Sequence, residues 1–212
     1  MKTENIITID FDIIMAPSIE LYNKYITEFY GVNDFAKDYN GLISYSNADL
    51  DIYNIITSYL IDSFLTLNND NIYFINDHEQ VYDLLEINKK YNIYNIDHHH
   101  DCGYVEEQKD LFCGNWIKIL KKENRLNEYT WITDESTIDE IDKNIGKKVF
   151  FYDTDLFSLP KPDKLIICAS FEWIPFQFRP LFYLWLQLYN QFSGDSLKEI
   201  IRNPRRNEIE KK

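Results

Sequence analysis

Apolar and polar positions sort the chain into two alternating kinds of segment. Short runs rich in Ile, Val, Tyr and Phe, each bounded by polar residues, occupy 6–11, 72–75, 93–96, 129–132, 149–152 and 165–168. Runs of that length and composition predict buried β-strands. Between them lie stretches with apolar residues at helical spacing, at 18–30, 48–67, 79–89, 115–122 and 136–145. A last helical stretch, 180–192, is so aromatic that it is expected to pack as a buried cover. Strand followed by helix, repeated, predicts an α/β fold: a three-layer αβα unit with a mostly parallel sheet and right-handed crossovers.

Composition sharpens this picture. A chain of 212 residues fits one domain of about 100–200 residues, expected over 1–201, with a charged tail over 202–212 that frays. Hydrophobic residues make up 45% of the chain and aromatic residues 16%, enough apolar surface to offset the entropy of ordering. The 22 Lys+Arg against 35 Asp+Glu leave a net charge of −13. Such a chain repels a phosphate backbone, so nucleic acid is not an expected partner. Acidic excess gives a solvated surface when dispersed and a cation site when clustered. Cys102, Cys113 and Cys168 show no C-x-x-C spacing, which points away from a disulfide framework or zinc knuckle and fits a reducing compartment. No run reaches the roughly 18 apolar residues of a membrane span, and Asp10 and Asp12 interrupt the N-terminal run where a signal peptide would be unbroken. A cytoplasmic protein without membrane association is expected.

The acid is clustered. Five of the six predicted strands end in ionisable residues: Asp10 and Asp12, Asp77 and His78, 97–101, Asp153 and Asp155, then Glu172, with Asp134 more loosely after the strand at 129–132. Open parallel sheets bind ligands at their carboxyl edge, so these groups are expected to converge there. For a single aspartate, a helix N-cap is the competing explanation. Histidine changes the balance, because all four histidines, His78, His98, His99 and His100, lie at these strand ends. In extended backbone Asp97, His99 and Asp101 project to one side, His98 and His100 to the other. Carboxylate oxygen with neutral imidazole suits Mn²⁺, with Zn²⁺, Fe²⁺ and Mg²⁺ also compatible. Six candidate ligands exceed the needs of one ion, and two ions about 3.5–4 Å apart can share a water and lower its pKa.

Four segments, Asn76-Asp-His-Glu-Gln80, Asp97-x-His99-x-Asp101, Gly114-Asn-Trp116 and Ile9-Asp-Phe-Asp12, resemble motifs of the arginase and deacetylase superfamily. The likeness is greatest to its branch that includes arginases acting on arginine within peptides, with E-D-H-Q, D-x-H-x-D, N-W-I and D-x-D segments. In that branch the D-x-D strand follows the histidine motifs, so the resemblance implies a circularly permuted order, covering 6–17 and 72–120. It also implies an arginase/deacetylase-like fold and two Mn²⁺ ions, one held by His78, Asp97, Asp101 and Asp10, the other by Asp97, His99, Asp10 and Asp12. Asp153 and Asp155 are the competing pair, in the ordinary chain position for that motif, but the Ile7-Thr8-Ile9 frame before Asp10 is more similar to the family strand. Ser170-Phe-Glu172-Trp-Ile-Pro175 resembles an acidic residue followed by x-x-Pro, which implies that Glu172 pairs with a guanidinium. The family's proton-shuttling histidine has no counterpart, which leaves His98 or His100 to serve as the catalytic one.

The function expected from these residues is dinuclear, metal-dependent hydrolysis of a carbon–nitrogen bond. The substrate expected is a small molecule or peptide with a cationic group, such as arginine, with urea released. Two alternatives accompany it. One is a non-catalytic metal-binding or partner-binding protein that keeps the site. The other is a phosphatase of the haloacid dehalogenase type, which also opens on an apolar strand and D-x-D but gives the Asp97–Asp101 histidine segment no task.

Overall fold

The computed structural model describes residues 3–16, 47–103, 110–137, 139–171, 174, 178–193 and 199–202. Its centre is a six-stranded, wholly parallel sheet. The strands are β1 (Thr3–Asp10), β4 (Ile72–Ile75), β5 (Lys90–Ile96), β6 (Leu126–Thr133), β7 (Lys147–Phe150) and β8 (Lys164–Cys168). Their order across the sheet is β4-β8-β1-β5-β6-β7, which places β1 in the interior between β8 and β5. Two-residue strands β2 (Met15–Ala16) and β3 (Asn47–Ala48) pair separately, antiparallel.

The helices are α1 (Leu50–Thr66), α2 (Gln80–Leu84), α3 (Trp116–Lys122) and α4 (Arg179–Ser193). Helix α1 begins where the Asp49 carboxylate accepts the Asp51 and Ile52 amides, both at 3.0 Å, satisfying donors that have no partner within the helix. Its buried stripe of Ile52, Ile56, Tyr59, Leu60 and Phe64 packs with Phe182, Trp185 and Tyr189 of α4 on one side of the sheet, over Ile7, Ile9, Leu165 and Ile167. Helices α2 and α3 give Val81, Trp116, Ile117 and Leu120 to a second core with Ile6, Ile93, Ile166 and Trp131. Ile6 and Ile7 belong to different cores because adjacent strand residues face opposite sides. The architecture is the three-layer α/β sandwich that the alternation of segments predicts. Fully burying each Ile or Leu in these layers stabilises it by about 1.5–3 kcal/mol.

The structure departs from the sequence expectations in three places. The stretch 79–89 forms a helix only over Gln80–Leu84, because the Tyr91 Oη accepts the Glu86 amide at 2.7 Å and donates to its carbonyl at 3.0 Å, drawing the backbone out of helical pairing. Among the described residues of 136–145 there is no helix. The carbonyls of Thr137 and Asp139 are taken by the Lys148 Nζ at 3.2 and 2.8 Å instead of by amides one turn on. The strand expected over 149–152 stops at Phe150 and continues as a 3₁₀ turn, Phe151–Asp153. The helix expected over 18–30 lies outside the described residues, as does most of the tail from 203 on. No described helix is long and apolar enough to cross a membrane.

Candidate metal centre

The carboxyl ends of β1 and β5 meet because the two strands pair in register, Thr8 beside Asn95 and Ile9 beside Ile96. The next residues, Asp10 and Asp97, therefore stand side by side at the sheet edge. Histidine reaches them from β4, which is two strands away from β1 across β8. Strand β8 ends in the small residues Cys168, Ala169 and Ser170, and the loop after β4 crosses over them, its Ile75 and Asn76 carbonyls accepting the Ala169 and Ser170 amides at 2.9 and 3.1 Å. Gln80 secures that loop: its Oε1 accepts the Asn76 and Asp77 amides at 3.0 and 2.9 Å, and its Nε2 donates to the Ile201 carbonyl at 3.1 Å. His78 is thereby set down among the aspartates.

Three carboxylate oxygens surround the His78 Nδ1: Asp97 Oδ2 at 3.0 Å, Asp101 Oδ2 at 3.0 Å and Asp10 Oδ2 at 3.2 Å. None of them meets the nitrogen in hydrogen-bond geometry. Beside this group His99 Nδ1 lies 2.9 Å from Asp12 Oδ2 and 3.7 Å from Asp97 Oδ1. Asp97 thus turns one oxygen to each histidine. Ligand atoms of Asp10, His78 and Asp97 lie within 4.8 Å of one another, and so do those of Asp12, Asp97 and His99. These buried groups stand close enough to hold a metal ion. The six aspartates and histidines singled out as ligands by the sequence are all in this one cluster.

Further side chains aim the cluster. Trp116 Nε1 donates to Asp101 Oδ2 at 2.6 Å, and Ser170 Oγ donates to Asp10 Oδ2 at 2.7 Å. Asp10 also caps the 3₁₀ turn after β1, its Oδ1 accepting the Asp12 amide at 3.3 Å, so capping and clustering coexist in one carboxylate. Trp131 Nε1 holds the Asp97 carbonyl at 2.9 Å.

Strand alternation does not explain the segment after β5. The strand ends at Ile96, and Asp97, His98 and His99 form a bend in which the Asp97 carboxylate accepts the His99 amide at 2.8 Å. Asp101 then adopts a positive φ of 52°, a conformation that Asp tolerates better than most residues. Asp97, His99 and Asp101 converge through this tight loop and not through a pleat. His98 turns to Asp134, Nδ1 to Oδ2 at 2.6 Å, with its ring edge-on to His99 at 5.3 Å between centroids. His100, expected as a catalytic residue, is buried edge-on against Trp131, and its Nδ1 accepts the Cys102 amide at 2.9 Å.

The electrostatics are those of a site short of positive charge. Burial, followed by the charges of Asp10 and Asp97, pushes Asp12 up to about 7. Burial and the Asp97 charge push Asp101 up to about 7 as well. Burial opposes charge on the His78 ring, yet the carboxylates of Asp101, Asp10 and Asp97 outweigh it and hold His78 well above its ordinary value. His99 is raised in the same way by Asp12 and Asp97 against its burial. Burial likewise opposes charge on Asp97, but the two histidines hold it well below the usual carboxylate range.

The remaining candidates lie elsewhere. Asp153 and Asp155 are exposed, and Asp155 caps its own turn through the Phe157 amide at 3.0 Å. Glu172 lies outside the described residues. Thr8, Asn95 and Asp134 were not singled out from the sequence as site residues, although Thr8 and Asn95 are polar interruptions in apolar strands, each two residues before a clustered aspartate. No protein family, curated protein or solved structure matches this chain.

Proposed function

We propose that the cluster is a dinuclear divalent metal centre, best suited to Mn²⁺, serving hydrolysis of a carbon–nitrogen bond in a guanidinium-bearing substrate. The observation that carries this reading is the division of Asp97, one oxygen toward His78 and the other toward His99, the disposition of a bridging carboxylate. The donor set fits such ions: hard carboxylate oxygens with imidazole nitrogen, a buried His78 Nδ1 and a buried Asp12 Oδ1 without hydrogen-bond partners, and several carboxylates crowded together. Asp10, His78, Asp97 and Asp101 would hold the inner ion, Asp12, Asp97 and His99 the outer one. Bound there, the ions would supply an acidified water and stabilisation of the charge that develops at the attacked carbon.

The chain's own residues supply the rest. His99 has a 33% exposed side chain, against 5% or less for Asp10, His78, Asp97 and Asp101, so substrate reaches the cluster on the outer side. His98, held at Nδ1 by Asp134, is the histidine placed to move a proton at its Nε2. Asp134 stays anionic for this task, because the His98 hydrogen bond outweighs its burial and lowers its pKa. Strand β1 supplies its aspartates before the loop after β4 and before β5, in keeping with the permuted order that the arginase resemblance implies. Net charge −13 favours a cationic substrate such as arginine in a peptide.

A second reading is a non-catalytic metal-binding protein, favoured by the near-complete enclosure of the inner group, the character of a structural site. Turnover separates the two. Protein loaded with Mn²⁺ is expected to contain two equivalents by elemental analysis and to release urea from arginine or arginine-containing peptides. Two equivalents of metal without urea would establish the second reading and end the first.

A further inference from the structure

The inner group is backed by uncharged side chains whose hydrogen bonds have a single consistent direction. Thr8 and Asn95, register partners on β1 and β5, lie two residues before Asp10 and Asp97. Strand periodicity therefore puts them on the same face, directly behind those carboxylates. Both are completely buried, so each polar atom must find its partner within the protein.

The direction follows from Asp97, a carboxylate that only accepts. Asn95 must turn its amide nitrogen toward it, and Nδ2 lies 3.2 Å from Asp97 Oδ2, 3.4 Å from the His99 carbonyl and 3.2 Å from Tyr129 Oη. Tyr129 gives its own proton to the His100 carbonyl at 2.7 Å, leaving its oxygen as an acceptor for Asn95. Flipping the Asn95 amide would set oxygen against a carboxylate and a carbonyl. Asn95 Oδ1 consequently faces Thr8, whose one hydroxyl proton goes to it at 2.7 Å. Thr8 Oγ1 is left to accept, and the group it accepts from is His78 Nε2 at 2.5 Å. With Nε2 carrying the proton, the neutral ring presents the lone pair of Nδ1 to the oxygens of Asp10, Asp97 and Asp101.

We infer that Thr8 and Asn95 are positioning residues that fix His78 as an Nδ1 ligand and bind it to Asp97 through one polarised chain, Nε2–H to Thr8 to Asn95 and from Asn95 to Asp97. This rests on the metal reading of the cluster but not on its catalytic part. The chain sets both the tautomer and the ring angle of His78, which is how a partner behind a ligand governs affinity. Thr8→Val keeps the shape and removes the hydroxyl, stranding Nε2–H in a buried site. Thr8→Ser keeps the hydroxyl.

Calorimetric titration of metal-free protein with Mn²⁺ tests this, together with long-range ¹⁵N–¹H spectra of the Zn²⁺-loaded protein, in which the ion is diamagnetic. The expected spectrum has the His78 proton on Nε2 and the metal on Nδ1. Thr8→Val is expected to weaken the tighter Mn²⁺ site by about 10–100-fold, with Thr8→Ser close to the parent chain. A folded Thr8→Val protein binding Mn²⁺ as tightly as the parent would overturn the inference, as would a spectrum showing metal on Nε2. The spectrum decides the matter alone if Thr8→Val fails to fold. A parent chain that binds neither ion overturns this inference and the metal reading together. Absence of urea release, a separate assay, would overturn only hydrolysis.

Discussion

Asp97 carries more of the site than any other side chain. Its carboxylate faces His78 and His99, accepts Asn95 Nδ2 and caps the His99 amide. Its carbonyl is held by Trp131. Removing it takes away the ligand common to both groups, whereas removing His99 leaves the inner group intact. Asp97→Ala is therefore expected to lose all bound metal, and His99→Ala to retain one equivalent by elemental analysis of chelator-free protein. His98→Ala and His100→Ala are expected to retain two, because one ring pairs with Asp134 and the other with the Cys102 amide. Loss of both equivalents in His98→Ala would show that the Asp134 pair is part of the metal site and not its neighbour.

At the scale of elements, the site depends on a loop that must cross a strand. The segment between β4 and α2 is held over the end of β8 by backbone pairing and by Gln80. Gln80→Leu removes the acceptor of the Asp77 amide, and an unsatisfied buried donor costs about 1–3 kcal/mol. If the loop relaxes when metal is absent, that cost falls on metal binding. The affinity of the inner site should then drop about tenfold for each 1.4 kcal/mol. Titration with Mn²⁺ measures it. Unchanged affinity with a lowered melting temperature would place the role of Gln80 in folding alone. The motif 76–80 was legible in the sequence through His78, but the task of Gln80 was not, since nothing local to the motif reveals that it ends against Ile201.

For the whole molecule, the cluster is a fault line that protons or cations can close. Asp12 and Asp101 move from an ordinary 3.8 up to about 7, so the metal-free folded state keeps protons that the unfolded chain has released. Between about pH 4 and 7 its stability falls as pH rises. His78 and His99, held well above 6.5, act in the same sense: their contribution is complete below 6.5 and is lost as pH climbs through their folded values. Asp97 is depressed below 3.8 and contributes above that value, losing it only in stronger acid. Chelated protein is therefore expected to melt at a lower temperature at about pH 8 than at about pH 5.5. Mn²⁺ at 100 times its Kd adds about 2.7 kcal/mol, a rise of about 5–10 °C for a chain of this size, and the rise is larger at the higher pH. Scanning calorimetry with and without chelator measures both. A chelated melting temperature that climbs across this range would contradict the crowded-carboxylate account.

All six strands, the helices 50–66, 116–122 and 179–193, and the identity of the clustered aspartates and histidines were written in local pattern, because hydrophobic period and strand-end chemistry are properties of neighbouring residues. Tertiary structure decided what no local pattern holds. Register between β1 and β5 set Asp10 beside Asp97 across more than eighty positions of chain, and sheet order brought His78 over β8. The bend after Ile96, with Asp101 in a left-handed conformation, aimed three side chains inward where strand alternation had been expected. Pairing of His98 with Asp134, and of His78 with Thr8, likewise depended on which strands became neighbours. Long-range hydrogen bonds between buried groups form only once the sheet has excluded water from them, and for that reason they left no trace in the order of the residues.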